Sequence, residues 1–173
     1  IKALMVVHVF GNLADMEMIM DIAQEYNIPV IEDAAEALGT RYTTGKYEGM
    51  YAGTIGDFGC YSFNGNKIMT TGGGGMLVAK DNNQLEHMRY LSTQAKDNPI
   101  NFIHDEIGYN YRMTNLQAAL GLAQIEQLNQ FIETKNKNYE LYSELFAGNS
   151  NIELLSFREG TQSNKWFYAL YVK

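Results

Sequence analysis

Leu4-Met5-Val6-Val7-His8-Val9-Phe10, then Leu13, Met16, Ile19, Met20 and Ala23, then Ile28-Pro29-Val30-Ile31-Glu32-Asp33: this opening stretch decides the fold. An apolar run broken by a single histidine is how a strand buried on both faces reads. Gly11-Asn12 ends it. Asn12 with Asp15 three residues on is a weak capping box, and the apolar residues that follow fall at helical spacing. A second apolar run begins at Ile28. Strand, helix and strand within about thirty residues make a βαβ unit. That unit predicts an α/β fold, a mostly parallel sheet flanked by helices.

Further along, residues 39–57 carry Gly39, Gly45, Gly49, Gly53 and Gly56 among Thr, Tyr and Lys, and read as a loop. Phe58 to Phe63 reads as a strand and Met76 to Ala79 as another. Asn83 with Glu86 opens a helix to Ala95. Lys96 to Tyr111 has no clear period, holds Pro99 and reads as loop. Thr114 with Gln117 is a good capping box. Leu116, Ala119, Leu120 and Ala123 then form one apolar face, continued by Ile125, Leu128 and Ile132, in a helix that persists to Leu145 and stops before Gly148. A helix this long crosses a domain boundary. Residues 1–147 therefore read as part of a large domain. Residues 148–173, with strand-like Ile152 to Leu155 and Trp166 to Val172, read as the start of a smaller C-terminal domain.

The bulk numbers exclude several classes. The chain has 173 residues, 46% of them apolar and 19% charged, an ordinary globular composition. It opens at Ile1 and enters a strand at once, and it stops within another, so it reads as an internal piece of a longer enzyme. A net charge of −7 argues against a general nucleic-acid binder, though not against a nucleotide-bearing ligand held by local donors. Cys60 is alone, cannot form an internal disulfide, and reads as a buried thiol. No apolar stretch approaches the ~20 residues of a membrane span, and no signal peptide is visible. A cytoplasmic protein with no membrane partner is expected. His8, His87 and His104 join no Cys, Asp or Glu at ligand spacing, so no metal site is expected. His8 reads as a hydrogen-bonded core histidine.

The chemistry gathers around Lys67. It follows Cys60-Tyr61-Ser62-Phe63-Asn64-Gly65-Asn66, and Ile68-Met69-Thr70-Thr71 leads into Gly72 to Gly75. A lysine among small and hydroxylated residues, with Asp33 at the carboxyl end of another strand, suits pyridoxal phosphate (PLP). That cofactor needs an amine for a Schiff base, an aspartate for its pyridinium nitrogen and donors for its phosphate. Ser62 can donate a hydroxyl to the phosphate. The competing readings are a solvated surface lysine for Lys67 and a helix cap for Asp33. The glycine run is no P-loop, because Met76 follows it where Lys is required. Glycines that let backbone pass close beneath a lysine-bound cofactor are the better reading. Adjacent strand residues face opposite ways, so Glu32 and Asp33 cannot flank one glycosidic bond.

With these residues the chain resembles the DegT/DnrJ/EryC1/StrS family of sugar aminotransferases. The resemblance runs through Val7-His8-Val9-Phe10-Gly11, Asp15-Met16 and Val30-Ile31-Glu32-Asp33-Ala34-Ala35-Glu36-Ala37. It continues in Gly56-Asp57-Phe58-Gly59, Ser62 to Lys67, and Gly108-Tyr109-Asn110-Tyr111-Arg112-Met113. It implies a fold-type-I PLP-dependent aminotransferase, a homodimer with active sites shared across the subunit interface. By position Lys67 looks like the cofactor-bearing lysine, Asp33 the pyridinium partner, Ser62 a phosphate ligand and Glu36 a residue beside the ring. Asn110 matches an asparagine that reaches the neighbouring subunit's cofactor phosphate. Relatives with histidine in place of this lysine are dehydratases, so Lys67 argues against dehydration.

Asn64-Gly65-Asn66-Lys67 with Thr70-Thr71 looks like the members that aminate C4 of a nucleotide-linked 4-keto-6-deoxy sugar, of perosamine or bacillosamine/legionaminic type. The implied reaction takes its amino group from L-glutamate and serves cell-surface glycan synthesis. A 3-keto-sugar aminotransferase and a non-catalytic sensor of the same fold are the alternatives. Gly73 departs from the glutamate common in the family. The family's N-terminal Thr/Ser-Ala phosphate turn and ring-stacking aromatic have no counterpart in this stretch.

Overall fold

Alternating apolar runs and an amphipathic helix build what they predict. In the computed structural model, which describes residues 1–173, β1 (Leu4–Val7), α1 (Met16–Glu25) and β2 (Val30–Asp33) form the βαβ unit. β1 and β2 are parallel, with Leu4 opposite Val30 and Val7 opposite Asp33. After the short β3 (Arg41–Tyr42) come β4 (Phe58–Ser62) and β5 (Gly75–Ala79). The sheet order is β1-β2-β4-β5, with β4 parallel to β2 and β5 antiparallel to β4. Under it lies a cluster including Val6, Leu13, Met16, Ala23, Val30, Ala34, Ala37, Tyr42 and Ile55. Small residues here let α1 and the following loop lie close to the strands.

The first strand stops at Val7 rather than running to Phe10. His8 turns its ring into the core, and Val9–Gly11 close a 3₁₀ turn with Phe10 in the left-handed region at φ 58°. The helix cap is Asp15, not Asn12. Asp15 accepts the Met18 N–H at 3.2 Å, while Asn12 accepts the N–H of Arg158, 146 residues away. The Met18 N–H, and then the Arg158 side chain, hold the Asp15 carboxyl below its ordinary range.

Gly72 to Gly74 form the turn into β5, which Gly75 begins. The Phe63 N–H donates to the Gly74 carbonyl at 2.9 Å, and Gly74 sits at φ 90°, a conformation open to glycine and strained for other residues. A turn accounts for the positive φ at Gly72 and Gly74. α2 (Asn82–Ser92) is capped by Asp81, two residues earlier than Asn83. It ends before Ala95 because Gln94 and Ala95 both have positive φ.

The capping box at Thr114 forms in full and opens α3 (Asn115–Ile125). The expected single long helix is two, since the chain breaks at Glu126-Gln127 before α4 (Leu128–Phe146). The apolar face of α3 exists but is uncovered by this chain: Leu116 is 86% exposed, whereas Ile132 of α4 is buried. Beyond α4, β6 (Ile152–Leu154) pairs antiparallel with β8 (Leu170–Val172). Between them β7 (Thr161–Gln162) returns to pair with β3, inside the stretch expected to be loop. The expected strand from Trp166 is therefore shorter, and residues 163–167 are a strap outside any strand, turned at Lys165 with φ 48°. We propose the domain boundary at 147/148 on the strength of the β6–β8 sheet, with this strap lying back across the first domain. No helix is long and apolar enough to cross a membrane.

Candidate active site

Alternation along β2 turns Val30 and Glu32 into the core and leaves Ile31 and Asp33 half-buried on the other face. Glu32 is fully buried and saturated with donors. Its carboxylate accepts the N–H groups of Gly53, Ile55 and Gly56 at 2.9, 2.6 and 2.5 Å and the His8 Nε2–H at 2.9 Å. His8 is buried as expected, and its Nδ1 accepts the Ala14 N–H at 3.2 Å, which puts the ring proton on Nε2. Glu32 thus ties β1, β2 and the loop before β4 into one rigid platform.

Burial alone would raise the Glu32 carboxyl, but His8 and the Gly56 and Gly53 N–H groups outweigh it and hold it below its ordinary value. A depressed folded-state value means stability present above the ordinary carboxyl range and lost as pH falls through the folded value. Glu32→Ala should cost about 3–5 kcal/mol, the scale of orphaning a buried charge's partners. It should also flatten the acid limb of the stability curve. Urea unfolding of the full-length variant and parent across pH checks both. An acid limb unchanged in the variant would mean that other groups set it.

Above this platform the parallel strands end. Asp33 Oδ1 accepts the Ala35 N–H at 3.0 Å, so the capping role is real. Its Oδ2 makes no hydrogen bond within the chain. The β2–β4 register sets Asp33 opposite Cys60, two residues before Ser62. Cys60 is half-buried rather than buried, and burial followed by the Asp33 charge pushes its thiol up. Ser62 Oγ accepts the Asn64 N–H at 3.3 Å, leaving its hydroxyl hydrogen to donate elsewhere.

Lys67 and Glu36 meet. The Lys67 Nζ lies 3.8 Å from Glu36 Oε1, and the two side chains are 13% and 25% exposed. Glu36 is aimed by its other oxygen, which accepts the Phe10 N–H at 2.7 Å. The left-handed backbone at Phe10, strained for a bulky residue, turns that N–H to the carboxylate. Gly11 follows at φ 78°, and a Cβ there would strike the Asn164 side chain. Asn110 stands apart: it is exposed on the connection between α2 and α3, its backbone bridging to Thr93, and no bond joins it to the other four.

Two further residues, not singled out above, reach Lys67 and Glu36. The strap brings Trp166, whose ring centroid is 4.2 Å from the Lys67 Nζ, and Asn164, which donates to the carbonyls of Glu36 and Leu38. Nothing local marks them, since their partners lie about a hundred residues or more away.

The DegT/DnrJ/EryC1/StrS aminotransferase model matches residues 1–173. The chain belongs to that family. It is 46% identical over 141 residues to the GDP-perosamine synthase of Escherichia coli O157:H7, covering 82% of this chain and 37% of the relative. EpsN of Bacillus subtilis, provisionally named a pyridoxal phosphate-dependent aminotransferase, is 40% identical over 169 residues, 98% of this chain and 42% of its own. Among solved structures, the aminotransferase TlmJ of Streptoalloteichus hindustanus superposes with a TM-score of 0.90 at 26% identity, over 99% of this chain and 46% of that one. The fold is that of the family's PLP-dependent sugar aminotransferases. The chain spans less than half the length of the relatives it matches.

Proposed function

We propose that the protein to which this chain belongs is a PLP-dependent aminotransferase that moves an amino group from L-glutamate to C4 of a nucleotide-activated 4-keto-6-deoxy sugar. The observation that carries this reading is the shielded Lys67 amine against Glu36, beside the parallel-strand ends that bear Asp33 and Ser62. These donors fit the cofactor: an amine, an uncommitted carboxylate oxygen on Asp33, and an uncommitted hydroxyl hydrogen on Ser62. Bound PLP would supply an electron sink for the carbanion formed at the substrate carbon.

The chain's own residues do the rest. Asp33 Oδ2 would accept the ring N–H, and Ser62 would donate to the phosphate. Lys67 Nζ would hold the cofactor, and as a free amine would take the proton from glutamate Cα and later deliver one to the sugar's C4. Glu36, fixed by the Phe10 N–H, faces that amine and keeps it oriented. GDP-linked sugar is the first acceptor to try, because a relative at 46% identity is a GDP-perosamine synthase. The full-length protein should convert glutamate to 2-oxoglutarate in step with amination of a GDP-4-keto-6-deoxyhexose. Cofactor binding without turnover on any 4-keto or 3-keto sugar nucleotide would favour the sensor reading.

The same proposal includes a homodimer with shared sites, to which Asn110 contributes across the interface. In its support, Asn110 lies in a run of exposed apolar residues: Ile100 at 84%, Ile107 at 83%, Tyr111 at 75% and Leu116 at 86%. Patches of this kind mark contact surfaces. Full-length Lys67→Ala and Asn110→Ala chains, each inactive alone, should recover activity when mixed, up to about a quarter of the parent for random pairing. Half the chains then sit in mixed dimers, each with one intact site. No recovery despite proven subunit exchange would put Asn110 in its own subunit's site or outside it.

A further inference from the structure

The strap at residues 163–167 is tied to the lysine loop more closely than packing alone requires. Trp166 is 5% exposed, and its Nε1–H donates to the carbonyl of Asn66, the residue just before Lys67, at 2.6 Å. Its backbone N–H donates to Asn164 Oδ1 at 3.0 Å, and the Asn164 amide grips the carbonyls of Glu36 and Leu38 at 2.9 and 3.0 Å. Phe167 stacks on the indole with centroids 3.7 Å apart. The ring facing Lys67 and the backbone of Glu36, whose carboxylate faces Lys67, are therefore both bonded to Asn164 of one strap.

We propose that Trp166 is a positioning residue for Lys67, its indole face and the Glu36 carboxylate together holding the ε-ammonium that Lys67 becomes once it has taken a proton and before it delivers one. The inference rests on the reading of Lys67 as the cofactor lysine. Its physical basis is the 4.2 Å between Nζ and the ring centroid, well inside cation–π range, with a side chain only 13% exposed, so that little water competes. The need is plain. A released lysine has a flexible four-carbon stem and, beside Trp166, a cavity of about 320 Å³ into which it can swing. An amine that wanders there loses the proximity on which proton transfer depends. The ring keeps it facing Glu36, on the side from which it must act.

The test uses the full-length protein stripped of cofactor. Limiting acetic anhydride acylates lysines, and mass spectrometry gives the rate at Lys67 relative to the exposed Lys137 as internal reference. Trp166→Leu should raise the relative rate at Lys67 by about threefold or more, and Trp166→Phe, which keeps a ring, by much less. In the loaded enzyme Trp166→Leu should lower kcat more than it raises KM for glutamate, with Trp166→Phe restoring part of kcat.

Should the leucine variant fail to fold, replacing tryptophan with analogues of rising fluorine content weakens the ring's attraction without changing its shape. Lys67 acylation should then climb along the series. A flat series, or equal rates in parent and Trp166→Leu, overturns the proposal. If borohydride fixes the cofactor to a different lysine, the functional reading fails, while the acylation rates still decide whether Trp166 holds Lys67.

Discussion

Lys67→Ala in the full-length protein is expected to abolish turnover and covalent cofactor attachment together. Three duties end with the one amine: anchoring the cofactor, taking a proton and returning it. The loss should exceed about 10³-fold in kcat, the scale seen when a catalytic base or nucleophile is removed. The fold should hardly notice. The Lys67 side chain makes no hydrogen bond, and its only charged partner is 3.8 Å away. Borohydride treatment of the parent should fix the cofactor to the peptide containing Lys67 and remove its visible absorbance. Melting of the cofactor-free variant should stay within about 3 °C of the cofactor-free parent. A variant that keeps both absorbance and turnover would move the catalytic amine elsewhere.

Asp33→Asn should slow turnover by about 10²–10³-fold while leaving much of the cofactor bound. The structure makes this a clean substitution. Asparagine can keep the cap to the Ala35 N–H through its own Oδ1, so the turn after β2 survives and only the charge and the second oxygen are lost. An amide cannot keep the ring nitrogen protonated, so the electron sink weakens although the pocket remains. Spectroscopic titration of cofactor binding alongside kcat separates the two effects. Near-normal turnover would reduce Asp33 to the capping role that its geometry also supports.

The parts of the molecule legible in the sequence are those whose causes are local. The apolar runs at Leu4–Val7 and Val30–Asp33, with the amphipathic α1 between them, carry the βαβ unit because strand and helix periodicity is written over neighbouring residues. The Thr114 capping box was legible for the same reason: cap and partner are three residues apart. Asp33 and Lys67 stood out through a strand end and an unusual neighbourhood, whereas Glu36 and Asn110 could be named only through resemblance. What misled were places where a distant partner overrides the local pattern. His8 continues an apolar run, yet Glu32, 24 residues on, draws its ring inward and ends the strand. Asn12 looks like a helix cap, yet its side chain is taken by Arg158. The apolar period runs unbroken across Glu126-Gln127, and no proline or glycine there announces the break.

By itself, then, the sequence determined the βαβ unit with its parallel strands and the family, and it singled out Lys67 and Asp33 as candidates. Each of these depends on residue type and short-range spacing. Only the tertiary structure decided that the strap beyond α4 returns to the lysine loop, setting Trp166 over Lys67 and bonding the backbones of Glu36 and Trp166 to the Asn164 side chain. The reason is physical. A hydrogen bond spanning 128 residues leaves no periodic trace in the chain, because its geometry exists only once β3 and β7 have paired and drawn the two segments together.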